Sequence, residues 1–279
     1  MPPDPDRSTT AGSYILGTHA EELERLRFQH ALWRPLAEAG WQRAGLRAGE
    51  RVLDLGAGPG FAALDLAERV GPEGRVLALE RSTVYVAAGR ALAAQASLAQ
   101  LEMRQHDLLR DPLPAEGFDL AWMRWVAMFL PDLEPLLEQL PRAFRPGGRL
   151  VLHEYMHWDS FGLHPHGAAI HRFGRAVQTG FRAAGGDPDV NRRLPSLLAA
   201  RGFRIEAMTP LAVAGGPSSM AGQWMERFVR VYGEQLQGHG QGLWTAADQA
   251  EALTEVEAAA ADPGSYWVGP TVLEVRATR

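Results

Sequence analysis

The stretch that decides the fold runs from residue 52 to residue 60 and reads Val-Leu-Asp-Leu-Gly-Ala-Gly-Pro-Gly. A short apolar run leads into three alternating glycines, and an amphipathic pattern from 61 to 70 follows at once. Glycine permits a tight turn with positive φ and lets backbone amides approach a bound ligand closely. The stretch therefore predicts a buried strand, a ligand-binding turn and a helix in direct succession.

Strands alternate with helices along the rest of the chain. Strands are predicted at 51–55, 75–79, 101–106, 118–123 and from 149 onward, with helices at 61–70, 83–96 and 133–144. Beyond residue 152, helices are predicted at 167–184, 195–201 and 218–236, and strands at 203–208 and 266–276. This alternation is typical of an α/β fold with helices on both faces of the sheet. We expect a doubly wound, mostly parallel seven-stranded sheet that binds ligands at the carboxyl ends of its strands.

Composition excludes several classes of function. A net charge of −5 without a basic cluster argues against a nucleic-acid partner. No apolar run approaches the roughly 18 residues of a membrane span, and the polar N-terminus does not resemble a signal peptide. Cysteine is absent and all 28 basic residues are arginine, which excludes thiolate metal sites and cysteine or lysine nucleophiles. We expect a cytoplasmic protein with a small-molecule partner, no nucleic acid and no membrane.

The spacing of the glycines distinguishes two kinds of nucleotide-binding loop. A nicotinamide-binding loop would place its third glycine one residue later, at Phe61. The shorter spacing, with an aspartate two residues ahead, resembles the D-x-G-x-G-x-G motif of the class I S-adenosylmethionine-dependent methyltransferases. This resemblance implies that S-adenosylmethionine is the cofactor and that four residues form the floor under its methionine part: Asp54, Gly56, Gly58 and Gly60.

Two acidic positions extend the resemblance to this family. Glu80 ends the second predicted strand, where the family's acidic residue binds both ribose hydroxyls, and a carboxylate can accept both hydrogen bonds. Asp107 follows the third strand, where the family often recognises the adenine amino group. The adjacent Arg81 and Leu108 are included in the same predicted site. The sequence Arg-Pro-Gly-Gly-Arg-Leu at 145–150, before the fifth strand, is another frequent feature of the family.

Two further residues enter the predicted cofactor site. The segment Tyr14-Ile-Leu-Gly17 before a helix resembles a subset of these enzymes in which a tyrosine closes over the cofactor. Arg124, directly after the fourth strand, is expected to face the cofactor carboxylate. The alternative for Tyr14 and for Arg124 is a surface or packing role.

The resemblance implies a role for each segment of the chain. Residues 1–13 are predicted as a disordered tail, 14–48 as N-terminal cap helices and 49–155 as the S-adenosylmethionine-binding core. Residues 156–279 supply substrate-side helices and the remaining strands of the same domain. The added helices are predicted to form a lid, and ordinary core packing of their apolar faces is the alternative.

The sequence His153-Glu-Tyr-Met-His157 matches the zinc-protease motif H-E-x-x-H, which places both histidines on one face of a helix. Here the match extends a predicted strand, on which residues four apart are about 13 Å apart. We therefore predict no metal, although five of the nine histidines fall between 153 and 171. A zinc hydrolase remains the remote alternative and requires one bound zinc per chain.

The end of the fifth strand also suggests catalytic residues. His153, Glu154, Tyr155 and His157 are expected to line the acceptor pocket. Histidine titrates near neutral pH, so His153 or His157 is the candidate general base, with His153 favoured. The alternative is that these residues pack or form hydrogen bonds while the enzyme acts by proximity alone.

The predicted function is transfer of a methyl group from S-adenosylmethionine to oxygen, nitrogen or carbon of a small molecule, in specialised metabolism. The first alternative is a protein of the same fold and cofactor that does not methylate, either a cyclase or a non-catalytic partner. A nicotinamide oxidoreductase is a further alternative, and it would bind nicotinamide.

Overall fold

Two sheets are present in the computed structural model, which describes residues 20–238 and 242–279. The larger sheet contains β1 (Arg51–Leu55), β2 (Arg75–Glu80), β3 (Leu101–Gln105), β4 (Phe118–Arg124), β5 (Phe144–His157), β7 (Arg204–Leu211) and β10 (Thr271–Thr278). The smaller sheet contains β6 (Gly162–His164), β8 (Ala214–Gly215) and β9 (Tyr266–Val268).

The larger sheet has the strand order β3-β2-β1-β4-β5-β10-β7. The first five strands in this order are parallel to one another. Strand β10 is antiparallel to both β5 and β7. The order reverses between β1 and β4, which is where sheets of this kind open a ligand-binding crevice. The prediction of a doubly wound, mostly parallel seven-stranded sheet is confirmed.

Helices cover both faces of this sheet. In chain order they are α1 (Ala20–Arg43), α2 (Phe61–Val70), α3 (Thr83–Gln95), α4 (Glu134–Ala143), α5 (Ala168–Ala183), α6 (Leu194–Ala199), α7 (Met220–Gly238) and α8 (Ala246–Ala261). Buried side chains of α2 and α3 pack on one face of the sheet together with Ala37 and Trp41 of α1. Trp33 of α1 belongs to the core on the other face, with the buried side chains of α4 and α6. Helices α5, α7 and α8 pack on one another, and α7 also contacts α1. None of the helices in the described part of the chain is long and apolar enough to cross a bilayer.

The predicted elements differ from the observed ones mainly after residue 143. Strand β5 begins at Phe144 rather than Arg149, because the Pro-Gly-Gly segment continues the strand instead of separating it from α4. The predicted final strand is divided into β9 and β10 by Gly269 and Pro270. Helix α8 and the short strands β6 and β8 were not predicted.

The proposed segment boundaries stay a prediction. The described part of residues 14–48 contains the single helix α1, and the expected tail at 1–13 lies outside the described residues.

A buried carboxylate fixes the C-terminal end of α1 to the sheet. Glu274 on β10 is fully buried, and its Oε2 accepts hydrogen bonds from Arg43 Nη2 at 2.6 Å and from His153 Nε2 at 3.0 Å. Gly40 lies directly above this cluster, because a Cβ atom there would be 2.5 Å from Glu274 Oε2. The absence of a side chain at Gly40 thus allows α1 to approach the sheet closely enough for Arg43 to reach Glu274.

We expect Gly40→Ala to lower the free energy of unfolding by about 1–3 kcal/mol, the usual effect of overpacking, although alanine favours helix formation. Gly238→Ala is the matched control, because a Cβ at the last residue of α7 meets no atom of the described residues within 4 Å. The control should be unchanged or slightly stabilised. Urea unfolding measures both variants, and equal stability of Gly40→Ala and the parent would contradict this packing.

Candidate functional site

A cavity opens at the carboxyl ends of β1, β4 and β5, beside the reversal in strand order. It contains about 1050 Å³ of space when its open mouth is included. One end, the cofactor end, is lined by residues after β1 and β4: Asp54, Gly56, Gly58, Pro59, Phe61 and Arg124. The other end, the aromatic chamber, includes Trp125, Phe129, Tyr155, Trp158, Trp224 and Phe228.

The glycine loop needs its glycines for two different reasons. Gly56 has φ of +70°, and a Cβ atom there would overlap the side chain of Val126. Gly58 has φ of +57°, and a Cβ there would meet no atom of residues 20–238 and 242–279 within 4 Å, so among these residues its backbone borders open space. Helix α2 begins directly after the loop without a side-chain cap. Its first amides and its positive dipole end therefore suit an anionic group of a ligand.

Asp54 and Arg124 bring unpaired polar atoms to the cofactor end. Burial raises the pKa of Asp54 to about 7 and lowers the pKa of Arg124 to about 10, and each group counteracts the shift of the other. Among the described residues, Asp54 Oδ2 and Arg124 Nη1 are buried without a hydrogen-bond partner. Buried polar groups are normally paired, so these two atoms indicate a place for a polar ligand.

His30 of α1 also lines the cofactor end, but both of its ring nitrogens are occupied. Arg124 Nη2 lies 3.0 Å from His30 Nδ1, and Asp65 Oδ2 lies 2.9 Å from His30 Nε2. Arginine can only donate, so His30 Nδ1 accepts and His30 Nε2 donates to Asp65. Burial lowers the pKa of His30, which keeps the ring neutral. In this arrangement His30 is a positioning residue for Arg124.

The other predicted cofactor residues lie around the loop. Glu80 at the end of β2 accepts a hydrogen bond from Gly58 N at 2.9 Å and one from Ser82 N at 2.7 Å. Burial raises the pKa of Glu80. Each of its oxygens has a second lone pair and can still accept a ligand hydroxyl. Glu80 itself does not line the cavity.

Farther from the cavity, Asp107 uses Oδ1 to accept from Leu109 N at 2.9 Å. Leu108 is buried and Arg81 is exposed. Gly60 has φ of +85° and packs on Met103 rather than on the cavity. Tyr14 lies outside the described residues, so its predicted role in covering the cofactor stays a prediction.

The aromatic chamber is built by elements that are distant in the sequence. The rings of Trp125 and Tyr155 are 5.5 Å apart at 22°, and those of Trp125 and Trp224 are 6.4 Å apart at 17°. Gln29 connects two of the surrounding helices, since its Oε1 accepts from Arg25 Nη1 at 3.0 Å and from Trp224 Nε1 at 3.1 Å. Helices α1 and α7 therefore form adjoining walls of the chamber. Their role as a lid stays a prediction.

Glu154 sets the position of the segment between the two ends of the cavity. Its Oε1 accepts from Val126 N at 2.7 Å and from Ala127 N at 2.9 Å, and burial raises its pKa to about 7. The segment 125–129 carries Trp125, whose φ is +52°, into the chamber and places Val126 against Gly56. One buried carboxylate therefore controls a segment that touches both the glycine loop and the aromatic chamber.

The structure corrects the expected placement of His153 and His157. His153 is fully buried below α1 and bonded to Glu274, because it precedes the end of β5 by four residues and faces the core. His157 is exposed at the end of β5, with Nδ1 lying 3.3 Å from Arg192 Nη2. Neither lines the cavity, and of the four residues expected there only Tyr155 does. The catalytic role of the two histidines stays a prediction, without support from this geometry.

The H-E-x-x-H match is part of an extended strand, as expected. One histidine is buried and the other exposed, so the two do not face a common ion. No group of three or more metal-binding side chains occurs within 20–238 and 242–279.

Comparison with known proteins agrees with this geometry. A model of the methyltransferase domain family matches residues 46–172. The 2-phytyl-1,4-naphtoquinone methyltransferase of Synechococcus elongatus is 35% identical over 124 residues, which cover 44% of this chain and 52% of the relative. Nocamycin O-methyltransferase of Saccharothrix syringae is 33% identical over 120 residues, 43% of each chain. The chain thus spans about half the length of the curated relatives it matches.

A solved structure matches more of the chain at lower identity. The [4+2]-cyclase SpnF aligns with a TM-score of 0.54 and 20% identity, covering 88% of this chain and 80% of the cyclase. This likeness extends the shared fold beyond the matched domain. Residues 46–172 form a domain of the class I S-adenosylmethionine-dependent methyltransferase family.

We expect His153→Ala to lower the free energy of unfolding by about 1–3 kcal/mol, because the buried Glu274 loses one hydrogen-bond partner. The affinity for S-adenosylhomocysteine should stay the same. His157→Ala, at the exposed end of the same strand, should change stability by no more than about 0.5 kcal/mol. Urea unfolding and calorimetry measure the two quantities. A stable His153→Ala protein that has lost only turnover would restore the base hypothesis.

A second prediction concerns Glu154. Its folded pKa of about 7 lies above the ordinary value of 4.5, so the ionised form is disfavoured in the folded chain. The contribution of Glu154 to the stability of the parent should therefore fall as pH rises from 4.5 to about 7. Glu154→Gln cannot titrate, so its stability relative to the parent should improve by about 1–3 kcal/mol between pH 4.5 and 8. Urea unfolding at both pH values measures this difference, and parallel pH profiles would contradict the assignment.

Proposed function

We propose that the chain transfers a methyl group from S-adenosylmethionine to a small-molecule acceptor. The observation that carries this proposal is a single cavity with two unlike ends. Its cofactor end has open glycine backbone, a helix N-terminus and an Arg124 nitrogen without a partner among the described residues, whereas its other end is an aromatic chamber. A donor and an acceptor held in one cavity react as if they were at very high concentration.

The residues at the cofactor end fit the parts of S-adenosylmethionine. Arg124 and the N-terminus of α2 supply positive charge for the carboxylate, and Asp54, Gly56, Gly58 and Gly60 form the loop beneath the methionine part. The bound cofactor supplies a methyl group that is activated by its positively charged sulfur.

The remaining cofactor contacts are proposed at the ends of the next two strands. Glu80 keeps free lone pairs for the ribose hydroxyls, and Asp107 with Arg81 and Leu108 borders the adenine. Glu80 thereby acts twice in this arrangement, since it also holds Gly58 N in the glycine loop.

The chain's own residues bind and align the acceptor in the aromatic chamber. Rings from the segments after β4 and β5 and from α7 surround the acceptor and exclude water from the transfer path. The acceptor is a small molecule because α1 and α7 enclose the chamber. The likeness to nocamycin O-methyltransferase supports a place in specialised metabolism, and the proposal includes neither a nucleic acid nor a membrane partner.

A non-methylating role, such as cyclisation, is the second candidate, and the shared fold of the [4+2]-cyclase favours it. Both candidates require the cofactor end. Only methylation converts S-adenosylmethionine to S-adenosylhomocysteine in proportion to consumed acceptor, so product analysis separates them.

We expect calorimetry to detect binding of S-adenosylmethionine and S-adenosylhomocysteine at one site, with each displacing the other. Glu80→Ala should weaken this binding by about 1.5–3 kcal/mol, because it removes the acceptor for the ribose hydroxyls. Glu68→Ala, an exposed carboxylate on α2, serves as the control and should bind normally. If calorimetry detects no heat of binding with either compound, the proposed function is contradicted. An unchanged affinity of the Glu80→Ala variant would refute only the role of Glu80.

A further inference from the structure

Within residues 20–238 and 242–279, the aromatic chamber contains no side chain that is ready to take a proton. On the described cavity wall the titratable residues are Arg25, His30, Asp54, Arg124 and Tyr155. Arginine has no lone pair to offer, and both nitrogens of His30 are engaged. Burial raises the pKa of Tyr155 well above its ordinary value, so its hydroxyl keeps the proton. Asp54 belongs to β1 at the cofactor end, beside Arg124.

The chamber instead presents hydrogen-bond donors. Tyr155 lines the cavity, and among the described residues no hydrogen bond to its hydroxyl is formed. Gln29 Oε1 already accepts two bonds, which leaves the Nε2 amide of Gln29 to donate to a ligand. Donors gathered in an apolar site stabilise an oxygen that carries negative charge.

Charge and shape restrict the ligand further. Arg25 is bound by Glu22 at 2.6 and 2.7 Å, so this buried carboxylate is neutralised and cannot attract an ammonium group. Arg124 brings a positive charge to the cofactor end of the same cavity. The ring of Trp125 lies at 22° to the ring of Tyr155 and at 17° to that of Trp224, an arrangement on which a flat ring can stack.

We propose that the acceptor is a planar aromatic or conjugated ring with an acidic hydroxyl group, bound as its oxyanion, and that methylation occurs on this oxygen. This inference rests on the proposed function and deepens it. Tyr155 and Gln29 orient the oxyanion, and the acceptor loses its proton to water before it enters the chamber. An oxygen lone pair forms the new bond to the methyl carbon, the carbon–sulfur bond breaks, and its electron pair stays on sulfur. The negative charge of oxygen and the positive charge of sulfur cancel in this step.

Four probes of similar size test the acceptor class on the full chain loaded with S-adenosylhomocysteine. They are 1-nitro-2-naphthol, which its nitro group makes acidic, 2-naphthol, 2-aminonaphthalene, and the saturated decahydro-2-naphthol. At pH 7 the nitronaphthol should bind at least tenfold more tightly than the other three. Binding of 2-naphthol should strengthen as pH rises toward its own pKa. Equal affinity for the saturated alcohol or for the amine would overturn the proposal.

Variants identify the donors. Tyr155→Phe should weaken nitronaphthol binding about tenfold or more, the loss expected for a hydrogen bond to a charged oxygen, while S-adenosylhomocysteine affinity is unchanged. Tyr266→Phe is the matched control, because Tyr266 is an exposed residue of β9 that stacks on His164 away from the cavity. Unchanged binding in Tyr155→Phe would refute the orienting role.

The failures can be told apart. A chain that binds S-adenosylhomocysteine but none of the probes contradicts the acceptor class alone, whereas a chain that does not bind the cofactor contradicts the proposed function. For any probe that is methylated, the rate of turnover gives a further test. Equal rates for 2-naphthol and nitronaphthol, with a pH dependence that Asp54→Asn abolishes, would make Asp54 a general base and overturn prior ionisation of the acceptor.

Discussion

Two hydrogen bonds from backbone amides to Glu154 hold the site together. They fix the segment 125–129, and this segment touches the glycine loop through Val126 and the aromatic chamber through Trp125. Burial of a carboxylate costs free energy, because removal from water disfavours its charged form. The bonds from Val126 and Ala127 offset part of that penalty, and they tie the geometry of one end of the cavity to that of the other.

The local part of the fold could be predicted from the sequence. Strand β1, the glycine loop and α2 lie where expected, because an apolar run, glycines with positive φ and a helical repeat each act over a few residues. Helix α8 was not predicted, because several of its buried side chains are small. A helix face that includes Ala252 and Ala259 shows only a weak repeat of apolar residues in the sequence. The break between β9 and β10 depends on two separate sheets, which no local pattern encodes.

In the site, too, the residues of one local motif could be predicted and the residues brought together by the fold could not. Asp54, Gly56 and Gly58 could be found because they share one motif, whereas the chamber combines α1, α7 and the ends of β4 and β5. Arg25 and Gln29 were missed, since on sequence alone they are ordinary polar residues of an amphipathic helix. His153 was misplaced for a related reason. Its partner Glu274 lies 121 positions away, and only the antiparallel pairing of β5 with β10 reveals that the histidine is a core residue.

That pairing has an evolutionary consequence. His153 lies inside the segment shared with the methyltransferase family, whereas Glu274, Arg43 and Gly40 lie outside it. A change of Glu274 would leave Arg43 and His153 without their common acceptor, and a side chain at Gly40 would displace the carboxylate. These positions are therefore expected to covary. His153 is thus expected to vary with Gly40 and Arg43 of α1 and Glu274 of β10, rather than with the glycine loop.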